Sequence, residues 1–276
     1  MKIIYKTQQI KEGLDTFLFG LKDLSTLEHE INLKDLKDLN KDIFLAINKN
    51  LFNKDLETLE STLKEIDKYK VSGILFYDLS VLSIAKRLGI KTPLIWAQDF
   101  LTVNYQTINF YEKEGISGVL IPPLITIDDI EEISKNINVE IMIYGFGYQM
   151  IALSKRKLLS SYFDYIKEEN DKDINYMIER DDIYPTKEEE YGTKIYSNKV
   201  LNSIRYINRL KKAGVKYIIL DDFMIDDFDK VKNIYERAVN EDLSDEELIS
   251  LEKEIESINS NTSTLFLDKK TVYKVK

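Results

Sequence analysis

The sequence contains no cysteine and a single histidine, His29. Without cysteine the chain has no disulfide bond, no thiolate ligand for a metal or an iron–sulfur cluster, and no cysteine nucleophile. One histidine excludes a metal centre built from several histidines and leaves a single candidate base for a Ser-His-Asp triad. Because Glu28 and Glu30 flank His29 and favour its charged form, we expect it at the surface rather than in catalysis.

Long apolar runs are also missing. No stretch approaches the roughly 20 apolar residues that a membrane-spanning helix needs, and the N-terminus MKIIYKTQQI lacks the apolar core of a secretory signal. We therefore expect a cytoplasmic protein without a membrane partner. The 48 acidic and 39 basic side chains leave a formal net charge of −9, which disfavours autonomous binding to a polyanion such as RNA.

Eight short apolar runs recur along the 276 residues, rich in Ile, Val, Phe and Tyr and without polar alternation. This pattern is typical of strands that are buried on both faces in a parallel sheet. The runs are 3–5, 16–20, 43–48, 73–78, 93–98, 118–123, 139–145 and 216–222.

Segments with helical spacing separate most of these runs. The spacing predicts helices over 53–69, capped by Asn53, over 126–137, capped by Thr126, and over 198–212. Glycines at four helix-to-strand junctions indicate left-handed helix ends. They are Gly13, Gly89, Gly115 and Gly214.

Eight buried strands joined by helices favour a TIM-barrel-like α/β fold, a (β/α)8 barrel in one domain over residues 1–240. The regularity breaks at 146–197, which is far longer than a normal connection between strand and helix, and we predict a functional insertion between strands seven and eight. Residues 241–276 are predicted to form an appendage of one acidic helix and a strand-like tail.

Sites in such barrels gather where the strands end. The polar or small residues at those ends are Asn48, Asp78, Gln98 with Asp99, Pro122–Pro123, Tyr144–Gly145 and Asp221–Asp222. The carboxylates of Asp78, Asp99, Asp221 and Asp222 could converge on a hard cation such as Mg²⁺, or they could cap helices and end strands. Because no spaced ligand loop is present, no cofactor is predicted, although these carboxylates leave room for a divalent metal.

The segment SKRKLLSSYF (154–163) holds the tightest basic cluster of the chain, Lys155, Arg156 and Lys157. Arginine suits bidentate contacts with a carboxylate or a phosphate. The cluster therefore indicates either an anion-binding site beyond the seventh strand or a solvated start to a loop helix.

Several segments resemble the peptidase U32 family of collagenase-like proteins, in its short form of about 300 residues. The block 154–163 coincides with the signature region of that family, and 54–90, 99–122, 141–163, 179–197 and 266–276 follow the family order. The resemblance implies a barrel fold. It also implies roles in peptide hydrolysis or in hydroxylation of tRNA uridine and of ubiquinone precursors, in which the short form works with a longer paralogue.

The resemblance carries some residues over and leaves others out. It carries over Ser154, Arg156, Leu158, Leu159 and Tyr162 in the signature, Thr102, Asn104 and Tyr105 after the fifth strand, and Glu179–Arg180, Tyr184–Pro185, Glu189, Gly192 and Thr193 in the insertion. Tyr144 stands where the family usually has histidine, and the cluster-binding cysteines of longer members are missing, so no iron–sulfur cluster is implied.

Three functions remain open from the sequence. The first is a cluster-free subunit that acts with a longer U32 paralogue, and through it with tRNA, in wobble-uridine hydroxylation. The second is an autonomous peptidase. The third is a binding protein for a small anionic metabolite, held by Arg156 and Lys157 at the barrel mouth. The binding residues predicted for these functions are Gln98, Asn104, Tyr144, Ser154, Lys155, Arg156, Lys157, Tyr162, Glu179, Arg180 and Thr193.

Overall fold

The computed structural model describes residues 1–27, 29–36 and 40–269. Its strands, in chain order, are β1 Lys2–Lys6, β2 Thr16–Gly20, β3 Asp42–Ile47, β4 Gly73–Phe76, β5 Leu94–Trp96, β6 Gly118–Ile121, β7 Glu140–Gly147, β8 Met150–Ser154, β9 Ile174–Glu179, β10 Asp182–Glu189, β11 Gly192–Tyr196, β12 Val200–Asn202, β13 Val215–Asp221 and β14 Thr262–Ser263. The helices are α1 Leu56–Ile66, α2 Leu79–Leu88, α3 Tyr105–Lys113, α4 Ile127–Ser134, α5 Leu158–Ile166, α6 Ile207–Lys212, α7 Phe228–Asn240 and α8 Asp245–Ile258.

Strands β1 to β7 and β13 coincide with the eight apolar runs and form a closed parallel barrel. Neighbours pair in chain order, and β13 pairs in parallel with both β7 and β1. The predicted (β/α)8 barrel is confirmed. Its strands are nearly continuous in burial because one side of each strand faces the helices and the other faces a layer of side chains inside the barrel. The interior layer is Ile4, Leu18, Phe44, Ala46, Leu75, Ile95, Ala97, Leu120, Met142 and Ile219.

Most helix predictions hold, because the apolar stripes of these segments pack on the barrel. Thr126 caps α4 and exchanges hydrogen bonds with Asp129. The four junction glycines all have positive φ, between 68° and 99°. The predicted helix end at Gly13 was wrong, because no helix lies between β1 and β2 and Gly13 lies in a turn. Trp96 is buried in the core.

Two helix starts were predicted wrongly. Asn53 lies inside a 3-10 turn, and Asp55 accepts a hydrogen bond from the amide of Phe52 instead. The helix predicted from 198 begins only at Ile207, because 200–202 form β12, which pairs antiparallel with β7. Tertiary pairing overrides the helical spacing there.

The insertion folds into an antiparallel sheet in the order β8-β11-β10-β9, with α5 between β8 and β9. Beyond the barrel, α8 packs on α7, and its Leu248, Leu251 and Ile255 join the main core. Of the strand-like tail, 264–269 contains turns, and 270–276 lie outside the described residues. In the described part of the chain, no helix has the length and apolar character needed to cross a membrane.

Candidate functional site

A cavity of about 500 Å³ opens at the mouth of the barrel, where the parallel strands end. Its size lies in the range of small-molecule sites. Nearly every part of the barrel contributes a strand-end side chain to it: Lys6, Asn48, Tyr77, Asp99, Pro123, Tyr144 and Asp221. Tyr144, Asp99 and Asp221, which the strand-end rule selected, are therefore brought together.

Aromatic side chains form much of the remaining lining. Phe100 follows β5, Tyr148 follows β7, Tyr184 and Tyr196 come from the insertion, and Phe266 comes from the C-terminal segment. The insertion thus supplies one wall of the cavity. Aromatic walls with a few polar groups favour a flat, partly apolar ligand such as a nucleobase.

A buried ion pair lies in this mouth, between the end of the first strand and the end of the last. The Nζ of Lys6 is 2.5 Å from Oδ2 of Asp221, and the two side chains are 8% and 3% exposed. The other carboxylate oxygen of Asp221 accepts a hydrogen bond from the amide of Phe223. Because β1 and β13 are adjacent only when the barrel is closed, this ion pair connects the first strand of the barrel with the last.

His29 is buried, with 4% of its surface exposed, and the prediction of a surface position was wrong. Its Nε2 lies 3.1 Å from Oδ1 of Asp222, which follows β13. The prediction used only Glu28 and Glu30, the neighbours of His29 in the sequence. These neighbours do not indicate which distant carboxylate contacts the imidazole ring. Packing against the end of the last strand decides the environment of His29.

His29, Asp221 and Asp222 also offer ligand atoms that lie within 4.8 Å of one another. Nitrogen and carboxylate ligands of this kind suit a divalent metal. Lys6 already neutralises Asp221, so a cation would compete with its ammonium group. Asp78 is not in this group, because its carboxylate caps α2 through the amide of Ser80 and also binds the amide of Leu51.

Asp99 is a half-buried carboxyl group in the mouth, with no hydrogen-bond or ion-pair partner within residues 1–27, 29–36 and 40–269. Burial raises the pKa of this carboxyl to about 7. Near neutral pH it can therefore both donate and accept a proton. Such a group suits a ligand that presents a donor and an acceptor side by side.

This raised pKa makes a prediction about stability. The folded state holds the Asp99 proton up to about pH 7, whereas the unfolded chain loses it near pH 4. The cost of ionising Asp99 therefore grows as the pH rises from 4 to 7. We expect Asp99→Asn to stabilise the protein by about 2 kcal/mol more at pH 8 than at pH 5, measured by urea unfolding. An equal effect at both pH values would contradict the burial of this charge, and the exposed Asp15→Asn serves as the control.

The basic cluster lies at the mouth end of the barrel but outside the cavity. Lys155, Arg156 and Lys157 are exposed between β8 and α5, and none of them lines the cavity. The ammonium of Lys155 lies 3.8 Å from the ring centre of Phe52, in the loop after β3. Arg156 and Lys157 were predicted to hold an anion at the barrel mouth. They lie outside the cavity, and the anion site stays a prediction.

Part of the signature region holds the insertion together. Thr193 is buried, donates to the carbonyl of Arg156 and accepts from the amide of Leu158. Glu188 accepts hydrogen bonds from the first turn of α5, at Leu159 and Ser160. Burial by itself would raise the pKa of the Glu188 carboxyl, but the hydrogen bonds it accepts from Ser160, Thr193 and Leu159 lower it. Thr193 and Glu188 thus have structural roles, because their hydrogen bonds cap the start of α5 and fix it to the sheet of the insertion.

The other predicted residues lie apart from the cavity. Asn104 caps α3 through the amide of Thr107, and Gln98 accepts from the amide of Phe100. Ser154 accepts from the amide of Arg156. The remaining predicted residues are exposed on the insertion. They are Tyr162 on α5, and Glu179 and Arg180 at the turn between β9 and β10.

The sequence reading missed Lys6, Tyr148 and Gln149 in the mouth. Lys6 could have been found, because it ends β1 as Asp221 ends β13, and the strand-end rule applies to both. Gln149 carries no such signal. Gln149 is buried, and its side-chain amide donates a hydrogen bond to the carbonyl of Gly147. It lies in the short connection between β7 and β8, where the insertion begins.

Proteins from three bacteria are similar in sequence to this chain. The chain is 27% identical to the tRNA hydroxylation protein P2 of Bacillus subtilis over 96% of its own length and 94% of that protein. It is 20% identical to the tRNA hydroxylation protein P of Escherichia coli over 67% of its length, and there it spans about half, 52%, of the relative. A collagenase of Porphyromonas gingivalis is 23% identical over 75% of this chain and 55% of that protein.

The family model described as peptidase family U32 matches residues 7–275, which include seven of the eight barrel strands and the insertion. The chain belongs to peptidase family U32.

Proposed function

We propose that this chain is a cluster-free subunit that acts with a longer U32-family paralogue in the hydroxylation of the tRNA wobble uridine. The observation that carries this proposal is the end-to-end similarity to the tRNA hydroxylation protein P2, over 96% of one chain and 94% of the other. A shared domain alone would align only part of one chain. No oxidation step is assigned to this chain, since it has no cysteine to bind a cluster.

The mouth supports this proposal. A single base is small enough to enter a cavity of about 500 Å³, and proteins hold unpaired RNA bases by stacking them on aromatic rings. Tyr144 and Tyr148 offer such rings, and Asp99 offers a group that can pair with the edge of a base. The net charge of −9 fits a subunit whose partner supplies most of the affinity for RNA.

The test is a deletion of the gene in its host, followed by nucleoside analysis of the tRNA. We expect the hydroxylated wobble uridine to fall to the level seen when the longer paralogue is deleted, and to return when the wild-type chain is supplied. Co-expression with the longer paralogue should also give a complex that survives gel filtration. Unchanged hydroxylation in the deletion strain would refute the role.

A peptidase is a second candidate, favoured by the similarity to a protein named collagenase. It has less support, because no side chain that lines the mouth within the described residues is a histidine that could activate Ser197 or Ser263. Incubation of the purified chain with gelatin, with and without divalent metals, tests it. Cleavage that is lost in a Ser197→Ala variant would favour this candidate over the first.

A further inference from the structure

Exposed apolar side chains concentrate on the insertion. Among the described residues, nine of the eighteen exposed large apolar side chains lie in 146–197, a segment of 52 residues in a chain of 276. The highest exposures are 84% for Tyr165 and 71% for Ile178. A concentration of this kind marks a surface that another molecule covers.

The strand β9 is the centre of this surface. It lies at the end of the sheet and pairs, within the described residues, with β10 alone. Tyr176, Met177 and Ile178 follow one another along it with 59%, 41% and 71% exposure, so apolar side chains project on both faces. Edge strands are normally protected by charge, proline or a bulge, and within β9 only the terminal Glu179 is charged. An unprotected edge can accept a further strand.

Charges around β9 select the kind of molecule. Residues 167–182, which contain β9 and its flanks, hold seven acidic and three basic side chains, a net charge of −4. RNA would be repelled by this surface. A second copy of the chain would bring the same acidic flanks together, which also disfavours pairing of β9 with itself. A protein strand with apolar side chains and basic flanks is complementary to it.

We propose that β9 is the docking edge for a partner protein, which adds an apolar strand flanked by Lys or Arg to the sheet of the insertion. This inference rests on the proposed function, in which the partner is the longer U32-family paralogue. The partner strand extends the four-stranded sheet and pairs with β9, the strand that carries Tyr176. The insertion then has two roles, since Tyr184 and Tyr196 also form a wall of the mouth.

The test measures binding of the purified longer paralogue to three forms of the full chain by titration calorimetry. These are the wild type, Ile178→Asp, and Ile249→Asp as the matched control, because Ile249 is an exposed isoleucine on α8, outside the insertion. We expect Ile178→Asp to weaken binding about tenfold or more, as loss of a central contact does, with Ile249→Asp equal to the wild type. A Glu179→Lys variant should also weaken binding, more strongly at low salt than at high salt.

Each other outcome is distinct. Equal binding by all three forms overturns the docking edge, while the proposed function stands. Failure of the wild type to bind the paralogue overturns the docking proposal, and the nucleoside analysis of the deletion strain then decides the function separately. Self-association that Ile178→Asp abolishes would assign the edge to a second copy instead. Circular dichroism of each variant checks that the fold is kept, which exposure of both isoleucines leads us to expect.

Discussion

Replacing Asp221 by alanine is expected to lower the free energy of unfolding by about 3–5 kcal/mol. The substitution leaves the ammonium of Lys6 buried, with the partner at 2.5 Å removed. Removal of the paired carboxylate takes a close charge interaction away from an ammonium that is largely out of contact with water. A loss of this size is a large part of the stability of an ordinary domain.

Urea unfolding followed by the fluorescence of Trp96, which is buried in the barrel, measures this loss. Asp229→Ala is the matched control, because Asp229 pairs with Lys11 at 3.1 Å on the surface, and it should cost under about 1 kcal/mol. A double variant, Lys6→Met with Asp221→Leu, should recover much of the stability, since it removes both charges together. If the free energy of unfolding of Asp221→Ala lay within about 1 kcal/mol of the wild-type value, the buried ion pair between Lys6 and Asp221 would be contradicted.

Gly192→Ala is expected to unfold the insertion locally while the barrel stays folded. Gly192 begins β11 with φ at +144°, and a Cβ there would lie 2.0 Å from the carbonyl oxygen of Ser154 on β8. That oxygen belongs to the backbone, so it cannot turn aside as a flexible side chain can. We expect a cost of about 3 kcal/mol or more, from the clash and the strained backbone together.

Hydrogen exchange resolves the two parts of the chain. In Gly192→Ala the amides of β8, β10 and β11 should exchange faster, and those of β1 and β13 should keep their protection. Gly13→Ala is the control, because φ at Gly13 is +83° but no atom lies within 4 Å of the added Cβ. It should cost about 1 kcal/mol, the strain of a left-handed alanine by itself. Unchanged protection in the insertion of Gly192→Ala would contradict the close approach of β8 and β11.

Much of the candidate site follows from the sequence through one rule, that residues after parallel barrel strands share one end of the barrel. Tyr144, Asp99 and Asp221 were selected in this way and lie in the cavity. The rule fails for Asp78 because it cannot tell a helix cap from a ligand, since both place a carboxylate after a strand. The signature block and the second matched block were also selected, yet in the structure Ser154 of the first and Thr193 of the second bind backbone groups nearby.

The sequence by itself determined the eight strands of the barrel and the helices α1 and α4. These depend on neighbours along the chain, because burial on two faces and helical spacing each leave a local pattern. Only the tertiary structure decided that Lys6 meets Asp221 and that His29 is buried against Asp222. It also decided that the insertion forms a sheet in which β9, among the described residues, pairs with β10 alone. Each of the two pairs joins residues about 190 or more positions apart in the sequence, and barrel closure brings them together. The position of β9 at the edge of its sheet depends on which strands pair. Neither kind of contact leaves a pattern among neighbouring residues, so the sequence alone does not predict it.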